Sequence, residues 1–256
     1  MLNPIVITRP LAQAAPLAQR VLAMGCEAIV FPLLEIHPLA DTAPLKAALN
    51  DLSGYALVAF VSPNAIDAAF SILHHWPERI AIAVMGEGSR AALAQYGVTN
   101  ANASIISPRD PQRTDSQTLL EALDLDALKG KRVLIVRGET GRELLGDALR
   151  AQGVQVAQVA AYRRAAPVLD RARRAQLCAL LEAPHDWIIT SSEALRFLMQ
   201  MVEQVAQSAG VAKMQQQKLI VPHARIAETA RMLGFSTITL SGSGDEHLLA
   251  AIQFRP

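Results

Sequence analysis

Four hydroxyl side chains lie at or just past predicted strand ends, where an apolar run gives way to a helical pattern. They are Ser62, Ser89, Thr190 and Ser191. A helix that starts after a strand presents unsatisfied N–H groups and the positive end of its dipole at such a position. These groups bind carboxylate or phosphate, and the same hydroxyls can also act only as helix caps. The pattern therefore predicts either anion binding or simple capping.

Two arginines have equivalent positions in the sequence. Arg9 follows the apolar run IVIT, and Arg137 follows VLIV. A guanidinium at a strand end can bind a carboxylate through two parallel hydrogen bonds. Each arginine could equally form an ion pair within its own domain, and the sequence leaves both interpretations open.

The stretch GEGSRA (86–91) has the G-x-G-x-x-A spacing of a dinucleotide-binding loop and lies between a predicted strand and a predicted helix. The acidic residue that would bind the ribose about 20 residues further on has no candidate at the end of a second strand. A nucleotide-dependent enzyme therefore stays as an alternative function, which a thermal-shift screen with dinucleotides would test.

Metal and covalent catalysis have no visible carrier in the sequence. The six histidines lack the i, i+4 spacing of zinc-binding helices, and neither a G-x-S-x-G motif nor a cysteine-protease signature is present. We expect Cys26 and Cys178 to be two buried, unpaired thiols of a protein in a reducing compartment.

The elements that must position these residues follow a repeated pattern of a short β-branched run, a polar turn and an Ala/Leu-rich helix. The pattern occurs in IVITRP, LVAFVSPN, IAIAVMGEGS, VLIVRGETG, WIITSSE and KLIVPHAR. Such alternation predicts an α/β protein with parallel sheets covered by helices. Ligands of these sheets bind outside the carboxyl ends of the strands, where the polar turns lie.

Composition limits the classes of partner. The chain has 256 residues, 51% of them hydrophobic, and a net charge of +1. This charge provides no bulk field for nucleic acid or an anionic membrane. The apolar stretches fall short of the roughly 20 residues that span a bilayer, and MLNPIVITRP lacks the features of a signal peptide, so we expect a cytosolic protein.

Several segments match others at an offset of roughly 130 residues. FVSPNA (60–65) matches ITSSEA (189–194), residues 81–98 match 218–235, 116–123 match 245–252, and 5–25 match 133–153. The order differs between the copies, because the Arg-bearing strand comes first in one and last in the other. We therefore expect two related α/β units.

The simplest arrangement inserts one unit into the other. It predicts an outer domain of residues 1–34 plus 169–256 and an inserted domain of 40–160. Extended connectors at about 31–44 and 159–168 would join them and could pair with each other. Two connectors and facing strand ends predict a cleft.

With these segments assembled, the chain resembles the uroporphyrinogen-III synthase family. The resemblance rests on VITRP, FPLLEIHP, FVSPNA, VRGETGRELLGDALRAQG followed by VAAYRR, ITSSEAL, and the region from VPHARIAE to MLGF. It implies two related, doubly wound parallel-sheet (flavodoxin-like) domains joined by a two-stranded connector. It also implies an enzyme without metal or organic cofactor that closes hydroxymethylbilane, a linear tetrapyrrole with eight carboxylates, into a ring with the last pyrrole inverted.

The resemblance also assigns residues by position. Tyr162 in VAAYRR matches the connector tyrosine suspected in the family of assisting loss of the hydroxyl, although it could instead pack against its own domain. The expected substrate-binding residues are Ser62, Asn64, Gly86, Ser89, Gly138, Thr190, Ser191, His223 and Arg225. PHAR (222–225) departs from relatives that have small residues there, which leaves the role of His223 open.

We expect a cytoplasmic monomer whose partner is a polyanionic tetrapyrrole, with no role for nucleic acid or a membrane. The main alternative is a non-catalytic, two-lobed small-molecule binding protein. Supplying hydroxymethylbilane and identifying the product isomer would discriminate between them.

Overall fold

The structure is a computed structural model that describes residues 3–110, 116–141 and 143–254. One position of the VRGETGRELLGDALRAQG segment, Arg142, lies outside the described residues.

Short strands alternate with helices along the chain. The strands are β1 (Ile5–Ile7), β2 (Ala28–Val30), β3 (Glu35–Pro38), β4 (Leu57–Phe60), β5 (Ala81–Val84), β6 (Ile105–Ile106), β7 (Arg132–Gly138), β8 (Gln155–Ala165), β9 (Asp186–Ile188), β10 (Lys218–Val221) and β11 (Ile238–Leu240). The helices are α1 (Leu11–Ala23), α2 (Ala43–Asn50), α3 (Pro63–Phe70), α4 (Glu87–Gln95), α5 (Ser116–Ala122), α6 (Leu125–Leu128), α7 (Leu144–Ala151), α8 (Arg171–Leu181), α9 (Ser192–Gln215), α10 (Ala224–Met232) and α11 (Asp245–Gln253).

The described chain divides into two compact units. One runs up to Glu35 and resumes at Ala165, and the other is Ile36–Arg164. In the first unit the strands form a sheet in the order β11-β10-β9-β1-β2, and every pair of neighbours is parallel. In the second the order is β3-β8-β7-β4-β5-β6, with parallel pairing from β8 to β6.

Both sheets have the same order once the chain is read from the Arg-bearing strand. If β1, β2, β9, β10 and β11 are numbered 1 to 5, the first sheet has the order 2-1-3-4-5. If β7, β8, β4, β5 and β6 are numbered 1 to 5, the second sheet has the same order, with β3 added beside β8. This is the flavodoxin-like order. The predicted fold class is therefore confirmed, including the different starting points of the two copies. Segments near the two predicted connectors form β3 and β8, which are neighbours in the second sheet.

The strands are apolar runs because helices cover both faces of each sheet. In β4, Val58 and Phe60 pack into one core while Leu57 and Ala59 pack into the core on the opposite face. In β1, Val6 likewise packs into one core, while Ile5 and Ile7 pack into the core on the opposite face. With both faces buried, polar groups are confined to the strand ends.

The expectation of two buried thiols is half right. Neither Cys26 nor Cys178 forms a disulfide. Cys178, however, is exposed, because it lies on the solvent side of α8, whose buried residues are Leu177, Leu180 and Leu181. Cys26 is partly exposed.

Candidate functional site

In the Ile36–Arg164 unit, Ser62 lies at the point where the sheet order reverses, between β7 and β4. Its Oγ accepts a hydrogen bond from the Ala65 N–H at 3.2 Å, which caps α3, and Pro63 occupies the first turn. The same Oγ lies 3.0 Å from the phenol oxygen of Tyr162. The hydroxyl therefore caps the helix and binds a second side chain at the carboxyl end of the sheet, where ligands of such sheets bind.

Tyr162 reaches this position through an irregularity of β8. Arg137 pairs with Ala160 but Gly138 pairs with Tyr162, so Ala161 is an extra residue in the ladder. Such a bulge changes the direction of the side chains around it. The Glu139 N–H donates to the Tyr162 carbonyl at 2.8 Å and holds the strand after the bulge.

Gly138 is required by the position of the tyrosine ring. A Cβ at Gly138 would lie 3.1 Å from Cζ and 3.2 Å from the hydroxyl oxygen of Tyr162. The ring itself is 5% exposed and belongs to the core of its own unit. The sequence left open whether Tyr162 assists loss of the hydroxyl or packs against its own domain. The ring packs against its own domain. Its hydroxyl forms a hydrogen bond with Ser62.

A cavity of about 420 Å³ lies beside these residues, within the same unit. Asn64 and Tyr162 line it, together with side chains of α2, α3 and β3. Sequence reasoning missed the charged residues of this cavity, Lys46 and Asp67. The available signal was the polar stripe of Asn64, Asp67 and Ser71, whose spacing of three and four residues puts the first two on one face of α3 and Ser71 on the same side at its C-cap.

Gly86 and Ser89 occupy the beginning of α4. Gly86 is the N-cap residue, and its carbonyl accepts from the Ser89 N–H at 3.1 Å. Ser89 is only 3% exposed, so its side chain lies against the protein.

Arg137 and Arg9 each bind an acid of their own unit. Arg137 donates to Glu143 and, at 2.8 Å, to Gln158 Oε1. Gln158 Nε2 in turn donates to Glu143 at 2.7 Å. The Gln158 hydrogen bond, followed by that of Arg137, lowers the pKa of Glu143.

Arg9 pairs with Asp245 at 2.6 Å. The second interpretation of the arginines, an ion pair within the domain, therefore describes both.

In the other unit, Thr190 and Ser191 follow β9 at the equivalent reversal, between β1 and β9. Ser191 Oγ accepts from the N–H groups of Glu193 and Ala194 at 3.2 and 3.4 Å and caps α9. Thr8 Oγ1 donates to the Ile188 carbonyl at 2.7 Å and joins the two strands there. Thr190 is partly exposed at this edge.

His223 and Arg225 lie at the start of α10. His223 is the N-cap residue, but no side-chain hydrogen bond of His223 caps the helix. Its Nδ1 is 3.5 Å from Ser243 Oγ. Arg225 is exposed.

Within the described ranges, no group of three or more His, Cys, Asp or Glu side chains could hold a metal ion. Among the same residues, no helix has both the length and the apolar character needed to cross a membrane.

A sequence model of the family described as "Uroporphyrinogen-III synthase HemD" matches residues 15–250. The uroporphyrinogen-III synthase of Escherichia coli K12 is 32% identical over 254 residues, which cover 97% of this chain and 99% of the relative. The enzyme of the same name from Salmonella typhimurium LT2 has the same identity and coverage.

Solved structures show the same fold. The uroporphyrinogen-III synthetase of Helicobacter pylori 26695 aligns with a TM-score of 0.63 at 16% identity, over 99% of this chain and 100% of that one. A mutant uroporphyrinogen III synthase from the extremely thermophilic bacterium Thermus thermophilus aligns with a TM-score of 0.60 at 15% identity, over 98% and 100%.

Proposed function

Because the chain belongs to the uroporphyrinogen-III synthase family, we propose that it converts hydroxymethylbilane into uroporphyrinogen III, with Ser62 and Tyr162 acting on the departing hydroxyl. The reaction is a step of tetrapyrrole biosynthesis. The observation that carries the assignment of residues is the 3.0 Å contact between Tyr162 and Ser62 at the carboxyl end of the sheet.

The substrate supplies most of the chemical driving force. The lone pair of its terminal pyrrole nitrogen expels the hydroxyl, the nitrogen loses its proton, and the net products are water and an azafulvene. Attack by the substituted carbon of the last ring then gives a spiro intermediate, which fragments and recloses with that ring inverted. Without positioning, the chain closes head to tail into isomer I, so the protein acts chiefly by holding the two ends.

Tyr162 suits a weak acid-assisting role. A phenol donates a hydrogen bond at neutral pH, and Ser62 fixes the orientation of this one. A donor placed at the departing oxygen lowers the barrier to its loss.

The protein has a net charge of only +1, so a polyanionic substrate must be bound by local groups. Helix N-termini provide such groups, because their backbone N–H groups bind anions. We propose that carboxylates bind at the starts of α3 and α4 in one unit (Ser62, Asn64, Gly86, Ser89), and at the starts of α9 and α10 in the other (Thr190, Ser191, His223, Arg225). Gly138 keeps space for Tyr162. Side chains that already cap helices, such as Ser62 and Ser191, leave further backbone N–H groups for the ligand.

The non-catalytic alternative makes a different kinetic prediction. We expect the protein, far below the substrate concentration, to consume all freshly prepared hydroxymethylbilane faster than it cyclises alone. A binding protein would protect or release at most one equivalent.

We also propose that the protein is cytoplasmic and monomeric. Cell fractionation tests the location, and sedimentation of the purified chain tests the oligomeric state.

A further inference from the structure

The 420 Å³ cavity of the Ile36–Arg164 unit has room for a small ring. It lies between α2, α3, β3 and β8, and its lining is mostly apolar. The apolar side chains are Ile36, Pro38, Leu45, Ala68, Ile72 and Ala161. Small-molecule sites typically combine such walls with a few placed polar groups.

Two opposite charges lie among these walls. Lys46 belongs to α2 and Asp67 to α3. Within the described part of the chain they form no ion pair with each other, and Lys46 forms none with any other acid. A ligand can therefore meet a cation on one wall and an anion on another.

Asp67 is an exposed residue whose carboxylate is held by one side-chain hydrogen bond. The Tyr96 hydroxyl donates to its Oδ1 at 3.2 Å, and the Tyr96 ring stacks on Phe70 with centroids 4.7 Å apart. Burial raises the pKa of Asp67, and the Tyr96 hydrogen bond opposes this rise. An ionised carboxylate has two oxygens that can accept several hydrogen bonds, so Asp67 can accept a further N–H donor beside Tyr96.

We propose that this cavity binds one pyrrole ring of hydroxymethylbilane, with Asp67 accepting from the pyrrole N–H and Lys46 binding a carboxylate of the ring's side chains. The proposal rests on the function proposed above. A pyrrole offers an apolar face, a single N–H donor and acidic side chains, which match the apolar walls, the carboxylate and the ammonium group.

The ring in the cavity is the one that carries the hydroxymethyl group, because Tyr162 lines the same cavity. When the C–O bond breaks, the oxygen takes its electron pair and a proton and leaves as water, and the nitrogen lone pair forms a C=N bond. The N–H becomes positively charged and then gives up its proton. A carboxylate beside it binds the transition state more strongly than the ground state, which accelerates the step.

Two small probes separate the two contacts. They are 3-(pyrrol-3-yl)propanoate and 3-(furan-3-yl)propanoate, which differ in the N–H. We expect NMR titration to give a Kd of about 1 mM for the pyrrole, in the range of a ligand of about ten non-hydrogen atoms. We expect the furan to bind about 10-fold more weakly, because it cannot donate to Asp67.

Variants assign each contact. Asp67→Ala should bring the two probes to nearly equal affinity, whereas Lys46→Met should weaken both by about the same factor. Ile72→Trp should fill the cavity and abolish binding of both. Lys213→Met removes a lysine that pairs with Glu182 elsewhere in the chain, and it should change neither affinity.

Equal affinity of the two probes for the native protein, or binding unaffected by Ile72→Trp, would overturn the proposal. So would the absence of pyrrole binding at concentrations well above the expected Kd. The isomer assay of the native protein is read separately. Isomer III formed by a protein whose cavity binds no pyrrole rejects only this inference, while pyrrole binding without isomer III rejects the proposed function.

Discussion

The phenol oxygen of Tyr162 lies 3.0 Å from Oγ of Ser62, although 100 positions separate the two residues. Ser62 Oγ also caps α3 by accepting from Ala65. One hydroxyl thus connects the start of a helix to the bulged strand β8. The contact places a proton donor at the sheet edge where the substrate is proposed to bind.

Replacing Tyr162 by Phe removes the donor and keeps the ring. We expect kcat to fall by about 10-fold to 100-fold, because the substrate already drives departure of the hydroxyl and the phenol gives only modest acid assistance. Folding and the preference for isomer III should persist. Tyr55→Phe, which removes a phenol at another buried position of the same unit, is the control and should keep native kcat. Full activity of the Tyr162 variant would remove it from the mechanism.

Ser62→Ala tests the two roles of that hydroxyl. We expect a loss of about 1 kcal/mol in the free energy of unfolding, from the missing cap. We also expect kcat to fall, because the phenol loses its partner. In a double-mutant cycle with Tyr162→Phe, the effects on kcat should be clearly less than additive.

Asp170→Ala is the matched control for the cap. Asp170 caps α8 by accepting from the Arg173 N–H at 2.8 Å. We expect a similar loss of stability with unchanged kinetics. If Asp170→Ala lowered kcat as much as Ser62→Ala, the kinetic effect would belong to stability alone.

Gly138→Ala would place a Cβ 3.1 Å from Cζ of Tyr162. Because the ring is buried and bonded to Ser62, we expect about 1–3 kcal/mol of destabilisation and reduced kcat. Gly88→Ala is the control, since its Cβ would meet only Pro63, at 3.9 Å, within α4. That variant should be neutral or slightly stabilised by higher helix propensity. Chemical denaturation and initial rates measure both, and native values for Gly138→Ala would contradict the packing account.

Glu143 gives a pH dependence of stability. Its hydrogen bonds to Gln158 and Arg137 lower its pKa below the ordinary value of 4.5. Its contribution is therefore present above pH 4.5 and is lost as the pH falls through the lower pKa of the folded state. Relative to Glu143→Gln, the native protein should have a higher Tm near neutral pH, and the difference should shrink below pH 4.5. Glu121→Gln, at an exposed position of α5, controls for charge. A Tm difference independent of pH would refute this.

The fold could be predicted because its signals are local. The buried runs that form β4, β5, β7, β9 and β10 are continuous and end in polar turns. The repeated segments occur in a different order in the two copies, which predicted that the two sheets begin at different strands of the same order. The short strands β2, β6 and β11 could not be predicted. Their two or three residues are mostly half-buried and show neither alternation nor a long apolar run.

The candidate site could be predicted only in part. Ser62 and Ser191 are visible as caps because capping acts over three residues. The pairing of Arg9 with Asp245, 236 residues away, depends on the fold. The cavity charges Lys46 and Asp67 were missed for the same reason, since two separate helices bring them to one space.

The identity of the cyclised product tests the central claim most directly. Freshly generated hydroxymethylbilane is incubated with the native protein, the products are oxidised, and the uroporphyrin isomers are separated by chromatography. We predict predominantly isomer III, against isomer I in the protein-free reaction. Isomer I alone in the presence of the folded protein would contradict the account.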